Sequence, residues 1–296
     1  MVHWIHLPIA LAPDQPYDVN GIFTGSTTLV NGVPVIIYTG ITSDKNQVQC
    51  QARPANLSDP TLTNWTKSSI NPFVTNPNGR DPAMAFQDSQ NNYYFIYGYG
   101  TADLGGQAVI FTSKDFSNWT YLHPLHSNKI GDFWECPDIF NVSNRVVLKA
   151  SLIGHDFWTV GNLDRQQWIF TPLNHDLGEF IQLVDHGRFY ASKTFYDPIN
   201  DQQIIMGWVS EEDDLGPQRG WQGCHSLPRA ISLSEDGSEI RSRPIDALST
   251  LRDPQSHRQF SDISLPAITP LQLIPGINSN QMEVRINWQF PMNQVK

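Results

Sequence analysis

The sequence predicts an all-β chain folded as a β-propeller. Three observations point there: apolar runs are short and β-rich, turn-forming residues separate them, and a Trp-plus-Pro segment recurs along the chain. Seven runs read as strands, spanning 33–38, 93–97, 108–112, 146–150, 189–195, 204–209 and 230–233. They are punctuated by Gly, Pro, Asn and Asp. Ser234-Glu235-Asp236-Gly237-Ser238 lies between two alternating runs and reads as a hairpin turn. Long helical periodicity is scarce.

The repeat sets the blade length. His3-Trp4-Ile5-His6-Leu7-Pro8 is similar to Asn118-Trp119-Thr120-Tyr121-Leu122-His123-Pro124, and Asn64-Trp65-Thr66 and Gln167-Trp168-Ile169 open comparable segments. These tryptophans follow one another at roughly 50–60 residues, near the period of a four-stranded blade. Each later Trp has a blade's worth of chain before it, but Trp4 has only three residues. The first blade is therefore expected to be incomplete, and its unpaired strand edges to weaken the fold. Beyond Arg243 the pattern fades. Residues 244–252 suit a short helical connector, and 260–265 and 281–290 read as strands of a second, small β unit.

Composition narrows the function. Of 296 residues 40% are hydrophobic and 16% charged, which describes a globular chain. A net charge of −10 argues against nucleic acid or an anionic membrane surface as partner. No run approaches the length of a membrane span. Three cysteines, Cys50, Cys136 and Cys224, give neither a disulfide framework nor a metal spacing. The pairs His3/His6 and His123/His126 lack a third ligand, and there is no Walker loop, no Gly-x-Ser-x-Gly elbow and no zinc spacing, so no metal and no cofactor is expected. Sequons begin at Asn56, Asn64, Asn118 and Asn141 and suit a secretory protein, although residues 1–6 do not read as a leader.

Two constellations suggest chemistry. In Trp134-Glu135-Cys136-Pro137-Asp138 a carboxyl group lies between a large ring and a small thiol. Such neighbours favour the neutral acid that sugar-bond cleavage needs. In Arg80-Asp81-Pro82 the arginine is expected to keep Asp81 ionised, and an ionised Asp can bind two adjacent sugar hydroxyls. Each has a plain structural alternative: a buried Glu holding a loop, or an ion pair at a turn. Together, and with aromatic-rich Gly turns, they are the parts of a carbohydrate pocket.

At this point the chain resembles glycoside hydrolase family 32, the invertases, inulinases and fructan hydrolases. The matching motifs run in order: His6-Leu7-Pro8-Ile9-Ala10-Leu11, Gly21-Ile22-Phe23-Thr24-Gly25-Ser26, Arg80-Asp81-Pro82, Trp134-Glu135-Cys136-Pro137-Asp138, Asp185-His186-Gly187-Arg188-Phe189-Tyr190-Ala191-Ser192 and Gly207-Trp208. The resemblance implies a five-bladed propeller followed by a β-sandwich. Here that means a propeller over 1–245 with an incomplete first blade, a connector over 246–256 and a partial sandwich over 257–296. It implies retaining hydrolysis of a terminal β-fructoside, with sucrose or a short fructo-oligosaccharide as the small carbohydrate partner. In that scheme Glu135 is the acid/base and Asp81 the transition-state stabiliser. Arg80, Phe23, Thr24 and Asp185 contact the sugar, and Tyr190 and Trp221 are further pocket residues or framework.

One departure stands out. The family nucleophile is the Asp of a Trp-Met-Asn-Asp-Pro-Asn-Gly-like motif upstream of the His-Leu-Pro segment, and no such motif occurs in residues 1–296. Thr75-Asn76-Pro77-Asn78-Gly79 lacks the Asp and reads as a loop, and Asp14 and Asp18 read as loop residues. Three outcomes follow: a hydrolase represented by an incomplete chain, a non-catalytic fructoside-binding propeller, or a non-functional fragment. The chain as given is expected to release no fructose from sucrose.

Overall fold

The computed structural model describes residues 1–173, 182–211, 215–261 and 282–287. The chain divides into two units, Met1–Leu251 and Arg252–Lys296. The first is a β-propeller of four antiparallel sheets in sequence order. Blade 1 holds β1 (Ile22–Val30), β2 (Val33–Ile41), β3 (Gln47–Pro54) and β4 (Trp65–Lys67). Blade 2 holds β5 (Phe86–Gln87), β6 (Tyr93–Thr101), β7 (Gly105–Ser113) and β8 (Thr120–Asn128). Blade 3 holds β9 (Glu135–Val142), β10 (Arg145–Leu152), β11 (His155–Asp164) and β12 (Ile169–Pro172), with β13 (Gln182–Leu183) also on β11. Blade 4 holds β14 (Phe189–Asp197), β15 (Gln202–Val209), β17 (Arg229–Leu233) and β18 (Ile240–Pro244), with β16 (Cys224–His225) also on β15.

Side-chain alternation explains why the central strands are apolar throughout. On β6, Tyr93, Phe95 and Tyr97 pack into the seam with blade 1, while Tyr94 and Ile96 pack into the seam with blade 3. On β7, Val109 and Phe111 divide from Ala108 and Ile110 in the same way. A strand buried on both faces has no polar face to show. The repeating tryptophans mark the last strand of a blade: Trp65 opens β4, Trp119 directly precedes β8 and Trp168 directly precedes β12. Trp168 packs across the seam, 4.1 Å from the Tyr94 ring.

All seven strand runs fall within strands, and the turn at 234–238 closes the β17–β18 hairpin, with Gly237 at φ 70°. The connector forms as a 3-10 helix over Asp246–Leu251. The incomplete first blade does not form. Residues 1–21 contain no strand, and Trp4, Ile5, Leu7 and Ile9 are exposed. A lone extended segment has no neighbour to take its backbone hydrogen bonds. Four complete blades are present among the described residues.

In the second unit, Pro254–Ser256 is a 3-10 turn capped by Asp253, and Glu283 pairs with Arg252 and Arg285. The expected strand over 260–265 lies largely outside the described residues. Of the one over 281–290, residues 282–287 are described and form no strand.

Candidate active site

Every blade is interrupted at one point, within its first strand or, in blade 2, in the segment just before it. In blade 1 the register steps from Phe23↔Thr39 to Gly25↔Tyr38, so Thr24 is extra. In blade 2 Arg80 bridges Gly98, and the next bond runs from Ala83 N–H to the Ile96 carbonyl, which leaves Asp81 and Pro82 opposite Tyr97. In blade 3 Cys136 and Pro137 oppose Ala150, and in blade 4 Ala191 and Ser192 oppose Gly207. Asp81, Cys136 and Ala191 take φ of 65°, 45° and 52°. Left-handed backbone at non-glycine residues, repeated at bulges, is a sign of side chains being re-aimed for use.

These bulges bring four of the expected site residues together. Arg80 Nη2 donates to Glu135 Oε1, and Arg80 Nε lies 3.8 Å from Asp81 Oδ2. Tyr190 donates its hydroxyl to Glu135 Oε2. Asp81 is buried; its Oδ2 accepts from Cys136 N–H at 2.9 Å, and its own N–H donates to Thr39 Oγ1 at 3.0 Å. The Arg80 guanidinium lies 4.1 Å from the centre of the Phe133 ring and donates to Gln47 Oε1 at 3.2 Å. Stacking and a fixed acceptor leave the guanidinium little freedom.

One electrostatic expectation changes. Burial raises the Asp81 pKa, and it outweighs the opposing Cys136 N–H and the charges of Arg80 and Lys193. The Arg80 charge pulls this carboxyl down, but burial is the larger effect. The sequence neighbours of Glu135 pack away from it. Trp134 turns into the blade 2–3 seam and donates to the Ile130 carbonyl at 3.0 Å, while the Cys136 thiol sits 3.6 Å from Asp81 Oδ2. The Glu135 side chain remains 30% exposed. Burial first, then the Glu135 hydrogen bond, raises the Tyr190 hydroxyl, so it stays a donor.

The other candidates stand apart. Phe23 is exposed on β1, and Thr24 is the blade 1 bulge. Asp185 accepts from Gly187 N–H and from Arg229, both at 2.6 Å. Burial opposes these bonds, but they hold its pKa below the usual carboxylate value. Trp221 is exposed, with the Arg219 guanidinium 5.3 Å from its ring centre. None of these four hydrogen-bonds to Arg80, Asp81, Glu135 or Tyr190 among the described residues. Asp14 and Asp18 are both held by Lys67. A cleft of about 500 Å³ lined by Trp65, Tyr17 and Lys67 contains none of the site residues.

Three contributors escape sequence reading. Gln47 and Phe133 hold Arg80, and Gly98 bonds both backbone groups of Arg80, at 2.9 and 2.7 Å. Gly98 also abuts Trp134: a Cβ there would lie 1.9 Å from the Trp134 carbonyl oxygen. The available signal was a glycine inside the aromatic run Tyr97-Gly98-Tyr99, which marks close backbone approach.

A propeller with carboxyl groups converging from the heads of adjacent blades suits a carbohydrate-active protein. The model of the glycosyl hydrolases family 32 N-terminal domain matches residues 1–244, and the chain belongs to that family. An insoluble β-fructofuranosidase isoenzyme of Arabidopsis thaliana is 40% identical over 326 residues, covering 98% of this chain and 53% of that protein. A fructan 6-exohydrolase of Beta vulgaris is 35% identical over 98% of this chain and 53% of its own length. Among solved structures, fructan 1-exohydrolase IIa of Cichorium intybus superposes with a TM-score of 0.78 at 33% identity, over 84% of this chain and 52% of that one. A variant of that enzyme is also known in complex with 1-kestose. The chain thus spans about half the length of the curated relatives it matches.

Proposed function

We propose that this cluster is the fructose-binding centre of a retaining hydrolase of terminal β-fructosides. The observation that carries the reading is Arg80. One guanidinium grips Glu135 of blade 3 and lies 3.8 Å from Asp81 at the head of blade 2, so carboxyl groups from two blades meet at one cation. Glu135 would protonate the glycosidic oxygen as the bond to fructose breaks, then take a proton from the incoming water. Asp81 would bind two adjacent fructose hydroxyls as the ring gains positive charge. Arg80 and Tyr190 orient Glu135, and Phe23, Thr24, Asp185 and Trp221 complete the sugar-binding wall.

Retention requires a second carboxylate about 5–5.5 Å across the scissile bond. In this reading residues outside 1–296 supply it, together with a fifth blade and a C-terminal β-sandwich. The 296-residue chain then binds sucrose or short fructo-oligosaccharides without hydrolysing them. The insoluble Arabidopsis relative and the four sequons support an extracellular setting for the whole protein. A second reading, a non-catalytic fructoside-binding propeller, is favoured by one observation. Among the described residues no third carboxylate hydrogen-bonds to Arg80, Asp81 or Glu135.

Titration calorimetry with fructose, sucrose and 1-kestose, run beside fructose-release assays, tests this. Binding that is lost in Asp81→Asn supports the site, and absence of binding by the parent chain rejects it. Release of fructose that disappears in Glu135→Gln means the chain holds its own nucleophile, which contradicts the proposed division.

A further inference from the structure

Behind Glu135, on the seam between blades 3 and 4, lies a charged pair that the proposed chemistry does not use. Lys149 on β10 and Asp156 on β11 have fully buried side chains, with Lys149 Nζ 3.6 Å from Asp156 Oδ2. Replacing such a pair by apolar side chains is often neutral or stabilising, so stability alone does not account for it.

Both charges converge on Ser192. Lys149 Nζ donates to the Ser192 carbonyl and, at 3.1 Å, to Ser192 Oγ. Asp156 Oδ2 accepts from Ser192 N–H at 2.9 Å. Ser192 is one of the two residues that oppose Gly207 in the β14 bulge, beside Ala191 at φ 52°. A bulge takes backbone groups out of the ladder, and Ser192 is fully buried, so those groups must find partners elsewhere. Asp156 takes the N–H and Lys149 the carbonyl. The blade 3 bulge uses the same device, with Cys136 N–H donating to Asp81 of the preceding blade. At Ser192 a cation is added.

Two residues before Ser192 comes Tyr190, whose hydroxyl donates to Glu135. On the other side, Lys193 Nζ and Thr194 N–H bind the two oxygens of Asp138 at 3.0 and 2.7 Å. We propose that Lys149 and Asp156 are positioning residues: they stand in for the missing ladder partners of Ser192, fix the β14 bulge, and thereby set the Tyr190 hydroxyl on Glu135. The proposal rests on the reading of Glu135 as the acid/base. A packing role for the pair predicts lost stability with Tyr190 undisturbed; a positioning role predicts that Tyr190 moves.

The test is a mutant cycle read in two ways. Crystal structures of the parent, Asp156→Asn and Lys149→Met report where the Tyr190 hydroxyl sits. It is expected on Glu135 in the parent and beyond hydrogen-bonding distance in the variants. Fructose binding is expected to weaken about 10-fold in each variant, as the loss of one charge-assisted hydrogen bond to Glu135 implies. In a Tyr190→Phe background the same substitutions should change the Kd by less than about twofold, because the affected group is already gone. Should either single variant fail to fold, the double variant Lys149→Met/Asp156→Leu keeps the seam filled with apolar side chains and must release Tyr190 equally. Tyr190 remaining on Glu135 in these crystals overturns the proposal, as does an equal loss of affinity in both backgrounds. If the parent protein binds no fructose, the functional reading fails, while the position of Tyr190 still decides this one.

Discussion

Replacing Gly98 by alanine probes the joint that holds the two halves of the site together. Gly98 bonds both backbone groups of Arg80 and lies against the carbonyl of Trp134, the residue before Glu135. A methyl group at this position would lie 1.9 Å from Trp134 O, 2.9 Å from Trp134 C and 3.3 Å from Pro137 Cδ. An ordinary carbon–oxygen contact is about 3.3 Å, so one segment must retreat by roughly 1.4 Å. Both sides of the clash are backbone, and no rotamer change relieves it. Overpacking of this kind costs about 3 kcal/mol, the upper part of its usual range. A displacement of that size between Arg80 and Glu135 is expected to weaken fructose binding by about 10-fold, as the loss of one charge-assisted hydrogen bond implies. Denaturant unfolding gives the first quantity and titration calorimetry the second. A Gly98→Ala protein within about 0.5 kcal/mol of the parent, with unchanged affinity, would refute the claim that this contact sets the spacing of the site.

Further substitutions test separate parts of the site and the fold. Arg80→Met removes the cation shared by the two carboxyl groups; it is expected to abolish detectable fructose binding. Its cost in stability is about 1 kcal/mol, small because the side chains are 20% and 30% exposed and solvent screens them. Asp81→Asn tests the raised pKa of Asp81. Above the ordinary carboxyl value of 3.8 and below the raised one, the folded chain holds a proton that the unfolded chain has lost, so this group's contribution falls as pH rises. The Asn variant should therefore gain stability relative to the parent between pH 3.5 and pH 7, and a constant offset across chemical unfolding curves in that range would contradict it. Trp168→Ala empties the seam where that ring meets Tyr94 and Phe86 and is expected to lose about 3–5 kcal/mol by denaturant titration.

How much of this was visible in the sequence depends on what each strand faces. The runs around Phe95, Ile110, Leu148 and Ile205 are buried on both sides and announce themselves by composition. β3 did not, because its buried positions include Gln49 and Gln51. Gln49 takes a hydrogen bond from Thr39 Oγ1 at 2.9 Å and gives one to the Gly79 carbonyl at 2.8 Å, so these polar residues are interior. β8 and β9 were obscured by Pro124 and Pro137, which sit where register shifts remove the need for an N–H. At the site, local motifs identify Arg80, Asp81, Glu135 and Tyr190. The way they meet depends on bulges and on left-handed φ at Asp81, Cys136 and Ala191, residue types with no glycine to signal the turn. Trp134 and Cys136 pack away from Glu135 because adjacent side chains leave a strand on different faces. Gln47 and Phe133 reach Arg80 only through the fold.

In the proposed site Asp81 and Glu135 address one fructose from two blades. A crystal structure of the protein soaked with fructose tests it directly. Fructose is expected at the Arg80 cluster, with Asp81 oxygens on two adjacent ring hydroxyls and Glu135 beside the anomeric oxygen. Fructose bound elsewhere, or bound there without contact to Asp81, would contradict it.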